Sequence, residues 1–218
     1  MTALPFQSDA DVTAALGQVV AHLTGGGLLA YPTETVYGLG SRPGESEVRA
    51  LAALKARGLE KPFLLLVASR EMAEAQGLAF NDSARALARA FWPGPLTLVL
   101  PGGSGRLPDL LRGPEGGIAV RWTSHPHTAR LVAELGEPLT STSANRPGAG
   151  PAPGAEAILR DFAEPVAAGQ LLVLDGGVLG NRPPSTVVDC TRPGGARVVR
   201  PGAVSLAELR GAAGILAP

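Results

Sequence analysis

The chain has 218 residues, 45% hydrophobic and 17% charged, with 29 glycines, 20 prolines, one cysteine, and 19 basic residues balancing 19 acidic ones. That composition excludes an intrinsically disordered chain, an internal disulfide and a cysteine-cluster zinc site, and it leaves enough apolar residues for a real core. Zero net charge argues against RNA as the main ligand, because phosphate neutralisation supplies much of nucleic-acid affinity.

In chain order, Val12, Ala15, Leu16, Val19, Val20 and Leu23 make a helical apolar stripe, with Ser8 or Asp9 as its cap. Gly25, Gly26 and Gly27 stop that helix. Residues 28–31 read as a buried strand closed by Pro32, which cannot continue a ladder from its nitrogen. Residues 45–57 read as a second helix and 63–67 as a central strand. Ser69 caps a helix to Gln76, and residues 81–91 form another before Pro93. Strands are expected at 96–100 and 118–121, with a flexible loop at 102–105 between them. Pro126 starts a helix to Leu135. Further strands are expected at 139–141, 171–174, 186–188 and 197–200. Helices alternate with strands early and strands dominate late, which predicts a mixed sheet with helices packed on it. No repeat and no linker is visible. No apolar run approaches the ~20 residues of a membrane helix. The N-terminal MTALPFQSDADV has no secretory-signal pattern, so a cytoplasmic location is the expectation.

The most informative stretch is residues 26–40, GGLLAYPTETVYGLG. A hydrophobic strand runs into Thr33, Glu34, Thr35 and Tyr37, beside Gly38 and Gly40. That is the layout of a ligand site at a strand's carboxyl end, and equally of a polar β-turn. Lys55 and Arg57 close the second helix, where cations favour the helix dipole. Two residues apart on a helix do not share a face, so both reach one ligand only if the helix ends there, as Gly58 permits. Fixed cations at that place suit a triphosphate, and Lys61 could add a third. Arg121 ends a strand; it is a surface arginine or a bidentate carboxylate grip. Ser141, Ser143 and Asn145 alternate, so they share a face if the strand continues. Hydroxyls and an amide there can bond an amino acid, a phosphate or a ribose, or cap a turn. His22, His125 and His127 do not make a zinc set, no Walker P-loop is present, and Cys190 reads as a buried inert thiol.

The ordered set PTETVYGLG, Lys55-Ala56-Arg57, KPFL, WPGPLT, Val120-Arg121, STSAN, STVVD and Arg200-Pro201-Gly202 resembles the YrdC-type threonylcarbamoyl-AMP synthases, in their single-domain form. The resemblance implies an α/β fold: one twisted mixed-sheet YrdC-like domain over residues 1–218, with a large concave cavity. It implies synthesis of threonylcarbamoyl-AMP and pyrophosphate from L-threonine, bicarbonate and ATP, with Mg²⁺ on the phosphates. The product would pass to proteins that modify tRNA with N6-threonylcarbamoyladenosine. The resemblance makes Lys55 and Arg57 catalytic. It gives Thr35, Tyr37, Arg121, Ser141 and Ser185 to the amino-acid side. It gives Lys55, Arg57, Lys61, Ser143, Asn145 and Arg200 to the nucleotide side. The family's Ser-Gly after the asparagine is absent here, where the chain reads Arg146-Pro147-Gly148-Ala149-Gly150. Two rivals share the fold: an RNA-binding or ribosome-maturation module, and the carbamoyl-transfer domain of hydrogenase maturation proteins. The second lacks its paired CxxC motifs in this chain.

Overall fold

Side chains that satisfy free backbone donors mark where the helices begin. In the computed structural model, which describes residues 3–56, 58, 62–180, 182–192 and 195–213, α1 (Asp9–Thr24) starts at Ser8. The Ser8 hydroxyl accepts from the Asp11 amide and the Asp11 carboxylate accepts from the Ser8 amide, a reciprocal capping box. Helix α2 (Glu45–Leu54) has no side-chain cap at Gly44. Ser69 caps α3 (Arg70–Ala75) and Asn81 caps α4 (Asp82–Phe91), each through a side-chain oxygen that accepts an amide three residues on. Pro126 fills the first position of α5 (Pro126–Leu135), and Gly136, at φ 72°, ends it.

Among the described residues ten strands form one mixed sheet. They are β1 (Leu4–Pro5), β2 (Leu28–Tyr31), β3 (Gly38–Gly40), β4 (Leu64–Leu66), β5 (Leu96–Leu100), β6 (Ile118–Arg121), β7 (Leu139–Ser143), β8 (Leu171–Asp175), β9 (Thr186–Asp189) and β10 (Arg197–Arg200). Their order across the sheet is β1-β8-β2-β3-β7-β4-β6-β5-β9-β10. The β1–β8, β2–β8, β4–β6 and β5–β9 pairs are parallel and the rest antiparallel. Within the continuous apolar run at 63–67 lies β4, in the middle of the sheet, with Leu65 and Leu66 buried and Leu64 partly buried.

Alternation along the strands splits the core in two. Leu39, Leu65, Val120 and Leu98 face one way, and α2 and α4 pack on them through Val48, Leu51, Ala84 and Leu87. Leu29, Tyr31, Leu66 and Leu139 face the other way, towards α1 and α5. Only the β1–β8–β2 side of this second face carries α1, which contacts β1, β2 and α5. The rest of that face, towards β9, holds the recess described below.

Three expectations need correction. The helix expected over 45–57 stops at Leu54; Lys55 is its C-cap and Ala56 turns left-handed at φ 43°, so the break falls before Gly58. Strands do not dominate the late part: α6 (Ala155–Asp161) and α7 (Ala163–Ala167) precede β8, and α8 (Leu206–Ala213) follows β10. Two strands, β1 and β3, were not expected. Among the described residues no helix is long and apolar enough to cross a membrane.

Candidate functional site

The loop after β2 is organised by its own hydroxyls. Pro32 ends the strand, and its carbonyl accepts from Thr128 Oγ1 of α5 at 2.6 Å. Thr33 Oγ1 then donates to the Val36 carbonyl at 2.7 Å and accepts from the Thr35 and Val36 amides. Thr35 Oγ1 lies 3.0 Å from it. Such local bonds replace a ladder and fix a tight turn. Thr33 and Thr35 are left pointing into a recess of about 770 Å³ on the second face of the sheet.

The recess crosses the central strands in register. Gly38 of β3 pairs with Ser143 of β7, Ser141 pairs with Leu64 of β4, and Leu66 pairs with Arg121 of β6. Residues two apart share a face, so Ser141 and Ser143 both line the recess, as do Ala119 and Arg121. Thr97 of β5 and Val187 of β9, also paired, close the far wall. Gly38 keeps the near wall low. A Cβ on Gly40 would stand 2.0 Å from the Thr140 carbonyl oxygen, so no larger residue fits that register.

Charge inside the recess is positive. Arg121 is 4% exposed; its Nη1 donates to Thr35 Oγ1 at 3.2 Å and its Nη2 lies 3.8 Å from Glu34 Oε2. Its Nε and Glu34 Oε1 are buried without a hydrogen-bond partner. Arg200 of β10 donates to the Ser185 carbonyl at 2.8 Å. Burial, and then the Arg121 charge, pull the Arg200 pKa below its ordinary value, though not far enough to discharge a guanidinium. Ser185 Oγ stands 2.8 Å from Thr97 Oγ1. A recess lined by the guanidinium groups of Arg121, Arg182 and Arg200 and by a rim of hydroxyls suits an anion that also offers hydroxyl or amine groups.

The structure thus brings together Thr35, Arg121, Ser141 and Ser185 from the expected amino-acid side. From the expected nucleotide side it brings Ser143, Asn145 and Arg200. Tyr37 is not among the lining residues. It is fully buried, its hydroxyl donates to the Gly177 carbonyl at 2.7 Å and accepts from the Gly176 amide at 2.9 Å, and burial pushes its pKa up to about 12. It ties the turn after β8 to the start of β3. Lys55 does not line the recess either. Its ammonium donates to the Ser143 carbonyl at 2.9 Å, to Asn145 Oδ1 at 2.8 Å and to the Asn145 carbonyl, so it clamps the end of β7. Ser143 Oγ donates to the same Oδ1 at 2.6 Å. Arg57 and Lys61 lie outside the described residues. Thr33, one of the hydroxyls singled out after β2, lines the recess, as do Thr97 and Arg182, to which no role had been given. Thr97 closes the WPGPLT motif, but it sits at the start of an apolar strand, where its residue type alone does not point to a ligand.

Cys190 is buried, and burial with the neighbouring Asp189 charge pushes its thiol up to about 12, which makes it inert. Among the described residues no three His, Cys, Asp or Glu side chains gather into a metal site.

The Sua5/YciO/YrdC family model, described as "Telomere recombination", matches residues 21–202. This chain belongs to the Sua5/YciO/YrdC family. Among curated members, the threonylcarbamoyl-AMP synthase of Chromohalobacter salexigens is 39% identical over 175 residues, covering 80% of this chain and 91% of that one. The threonylcarbamoyl-AMP synthase of Pyrococcus abyssi is 35% identical over 185 residues, 84% of this chain but 53% of that one. The crystal structure of P. abyssi Sua5 complexed with L-threonine superposes with a TM-score of 0.86 at 30% identity, covering 100% of this chain and 63% of that one. The chain therefore spans somewhat under two thirds of that Sua5. Escherichia coli YciO superposes with a TM-score of 0.82 at 24% identity, which speaks for the fold alone.

Proposed function

We propose that the chain is an L-threonylcarbamoyladenylate synthase, a nucleotidyltransferase that converts L-threonine, bicarbonate and ATP into threonylcarbamoyl-AMP, pyrophosphate and water. The observation that carries this reading is Arg121, a guanidinium 4% exposed at the wall of a hydroxyl-lined recess, in a family whose P. abyssi member has been crystallised with L-threonine. Arg121 takes the threonine carboxylate. Thr35, Ser141 and Ser185 stand where its hydroxyl and amine need partners. Ser143, Asn145 and Arg200 serve the nucleotide, with Arg57 and Lys61 as further phosphate cations on the strength of their motif.

The chemistry asks little of the protein beyond placement. The uncharged threonine amine forms a bond to the carbon of bicarbonate, or of carbon dioxide derived from it, and water leaves. A carbamate oxygen then attacks the α-phosphorus of ATP as the bond to pyrophosphate breaks. No side-chain nucleophile takes part. Juxtaposition and neutralisation of developing phosphate charge supply the acceleration. Lys55 contributes by fixing the Ser143–Asn145 end of β7. Mg²⁺ fits as the counterion that ATP carries in, since the described residues offer no three-ligand acidic cluster of their own. The product is an activated carbamate for tRNA-modifying partners that carry it to the adenosine, which places the reaction in the cytoplasm.

Incubation with ATP, Mg²⁺ and labelled bicarbonate, with and without L-threonine, tests the reading. We expect threonine-dependent pyrophosphate and an acid-labile labelled nucleotide. Absence of both with all substrates present would end it.

A further inference from the structure

A guanidinium as buried as Arg121 needs a counter-charge from the protein itself. Glu34 supplies it. Its side chain is 11% exposed, Oε2 lies 3.8 Å from Arg121 Nη2, and the fully buried Thr123 holds that same oxygen by donating its hydroxyl to it. Thr123 Oγ1 in turn accepts from the His125 amide at 3.2 Å, which ties the group to the start of α5. On the other edge of the guanidinium, Thr35 Oγ1 accepts from Nη1, itself fixed by Thr33. Arg121 lines the recess, whereas Glu34 does not.

Charge bookkeeping sharpens the point. Arg121 lowers the pKa of Arg200, so the two cations feel one another. Glu34 is the carboxylate that lies against Arg121 and offsets that one cation. Without Glu34 the two guanidinium groups repel with nothing behind Arg121 to oppose it. The atoms a fork-to-fork bridge would use, Arg121 Nε and Glu34 Oε1, are both buried and unpaired.

The geometry points to Glu34 as the positioning residue for Arg121, and through it as a determinant of amino-acid affinity. Glu34 acts from behind the guanidinium and does not touch the ligand. Only the ligand's identity rests on the synthase reading; the clamp on Arg121 does not.

Two measurements on the full chain separate these parts. The Arg121 side-chain Nε–H resonance is assigned by its loss in Arg121→Lys, then followed in wild type and Glu34→Gln without any ligand. In Glu34→Gln we expect it to shift and to exchange with water roughly tenfold faster or more, as a lost buried charge partner implies. In steady-state assays, Glu34→Gln should raise the KM for threonine roughly tenfold or more, with kcat and the KM for ATP near wild type. Glu34→Asp keeps the charge at shorter reach and should fall between; if Glu34→Gln does not fold, Glu34→Asp carries both readings. An unmoved Nε signal would overturn the positioning role. A moved signal with an unchanged threonine KM would overturn the link to affinity. A wild type without threonine-dependent turnover would sink the synthase reading, while the resonance still decides the role of Glu34.

Discussion

Arg121 and lysine differ in shape more than in charge. Arg121→Lys keeps the cation but loses the planar fork that holds Thr35 and faces Glu34 together, so the substrate carboxylate would meet a single point charge. The expected loss is about 2–3 kcal/mol in kcat/KM for threonine, with the melting temperature little changed. A variant with wild-type kcat/KM would remove Arg121 from the site. The hydroxyls set a second expectation. A site that pairs a substrate hydroxyl rejects an analogue lacking it strongly, so 2-aminobutyrate should be a poor substrate and serine a weak one. Equal rates for threonine and 2-aminobutyrate would refute the roles of Thr35, Ser141 and Ser185. His125 gives a pH expectation. Burial, and then the charge of His127, push its pKa down to about 4 from 6.5. The unfolded chain therefore binds more protons between those values, and stability is complete above about pH 6.5 and falls as pH drops towards 4. His125→Asn, which can still cap α5, should flatten that part of a stability–pH curve. At this scale the site was legible wherever a polar residue stood at the end of an apolar run, as Arg121 and Ser141 do, whereas Ser185, ahead of β9, was marked only by the family resemblance. Tyr37 sits inside the most conspicuous stretch yet spends its hydroxyl on Gly176 and Gly177, a contact about 140 positions away in sequence that no spacing reveals.

The elements depend on one close approach. Gly40 lies where a Cβ would stand 2.0 Å from the Thr140 oxygen, and β3 is only Gly38–Gly40. Gly40→Ala must push β3 away from β7 and with it Gly38, opposite Ser143 in the recess wall. We expect a loss of about 1–3 kcal/mol in urea unfolding together with reduced turnover. A variant as stable and active as wild type would show that the register tolerates the methyl group. Capping chemistry explains which elements the sequence disclosed. Ser8, Ser69, Asn81 and Pro126 each mark a helix start, and each does so in the structure. β1 has two residues and β3 has two glycines among three, so neither carries the alternation by which strands are recognised. α6 and α7 hide behind a proline- and glycine-rich stretch. The early end of α2 follows from Ala56, whose left-handed backbone is uncommon outside glycine and so could not be read from the residue type.

Across the whole molecule, 19 basic residues balance 19 acidic ones; in the recess, Arg121 is buried beside Thr35 and Glu34, and Arg200, though exposed, donates to the Ser185 carbonyl. Among the described residues several exposed cations have partners as well: Arg49 pairs with Glu45, Arg70 with Glu74, and Arg192 and Arg197 with Glu115. Such surface pairs contribute little to stability, but they remove the uncompensated charge that phosphate backbones seek. A protein that makes 6–10 phosphate contacts loses roughly 10³-fold or more in affinity between low and moderate salt. We therefore expect the chain alone to bind tRNA weakly, with that binding gone near physiological salt, and adenylate synthesis to run at one rate with or without saturating tRNA. Turnover measured in both conditions, with tRNA binding followed across a salt series, decides the matter. If pyrophosphate release required tRNA, or tight binding persisted at physiological salt, the recess would have to be read as part of an RNA-binding surface, and the synthase proposal would give way to it.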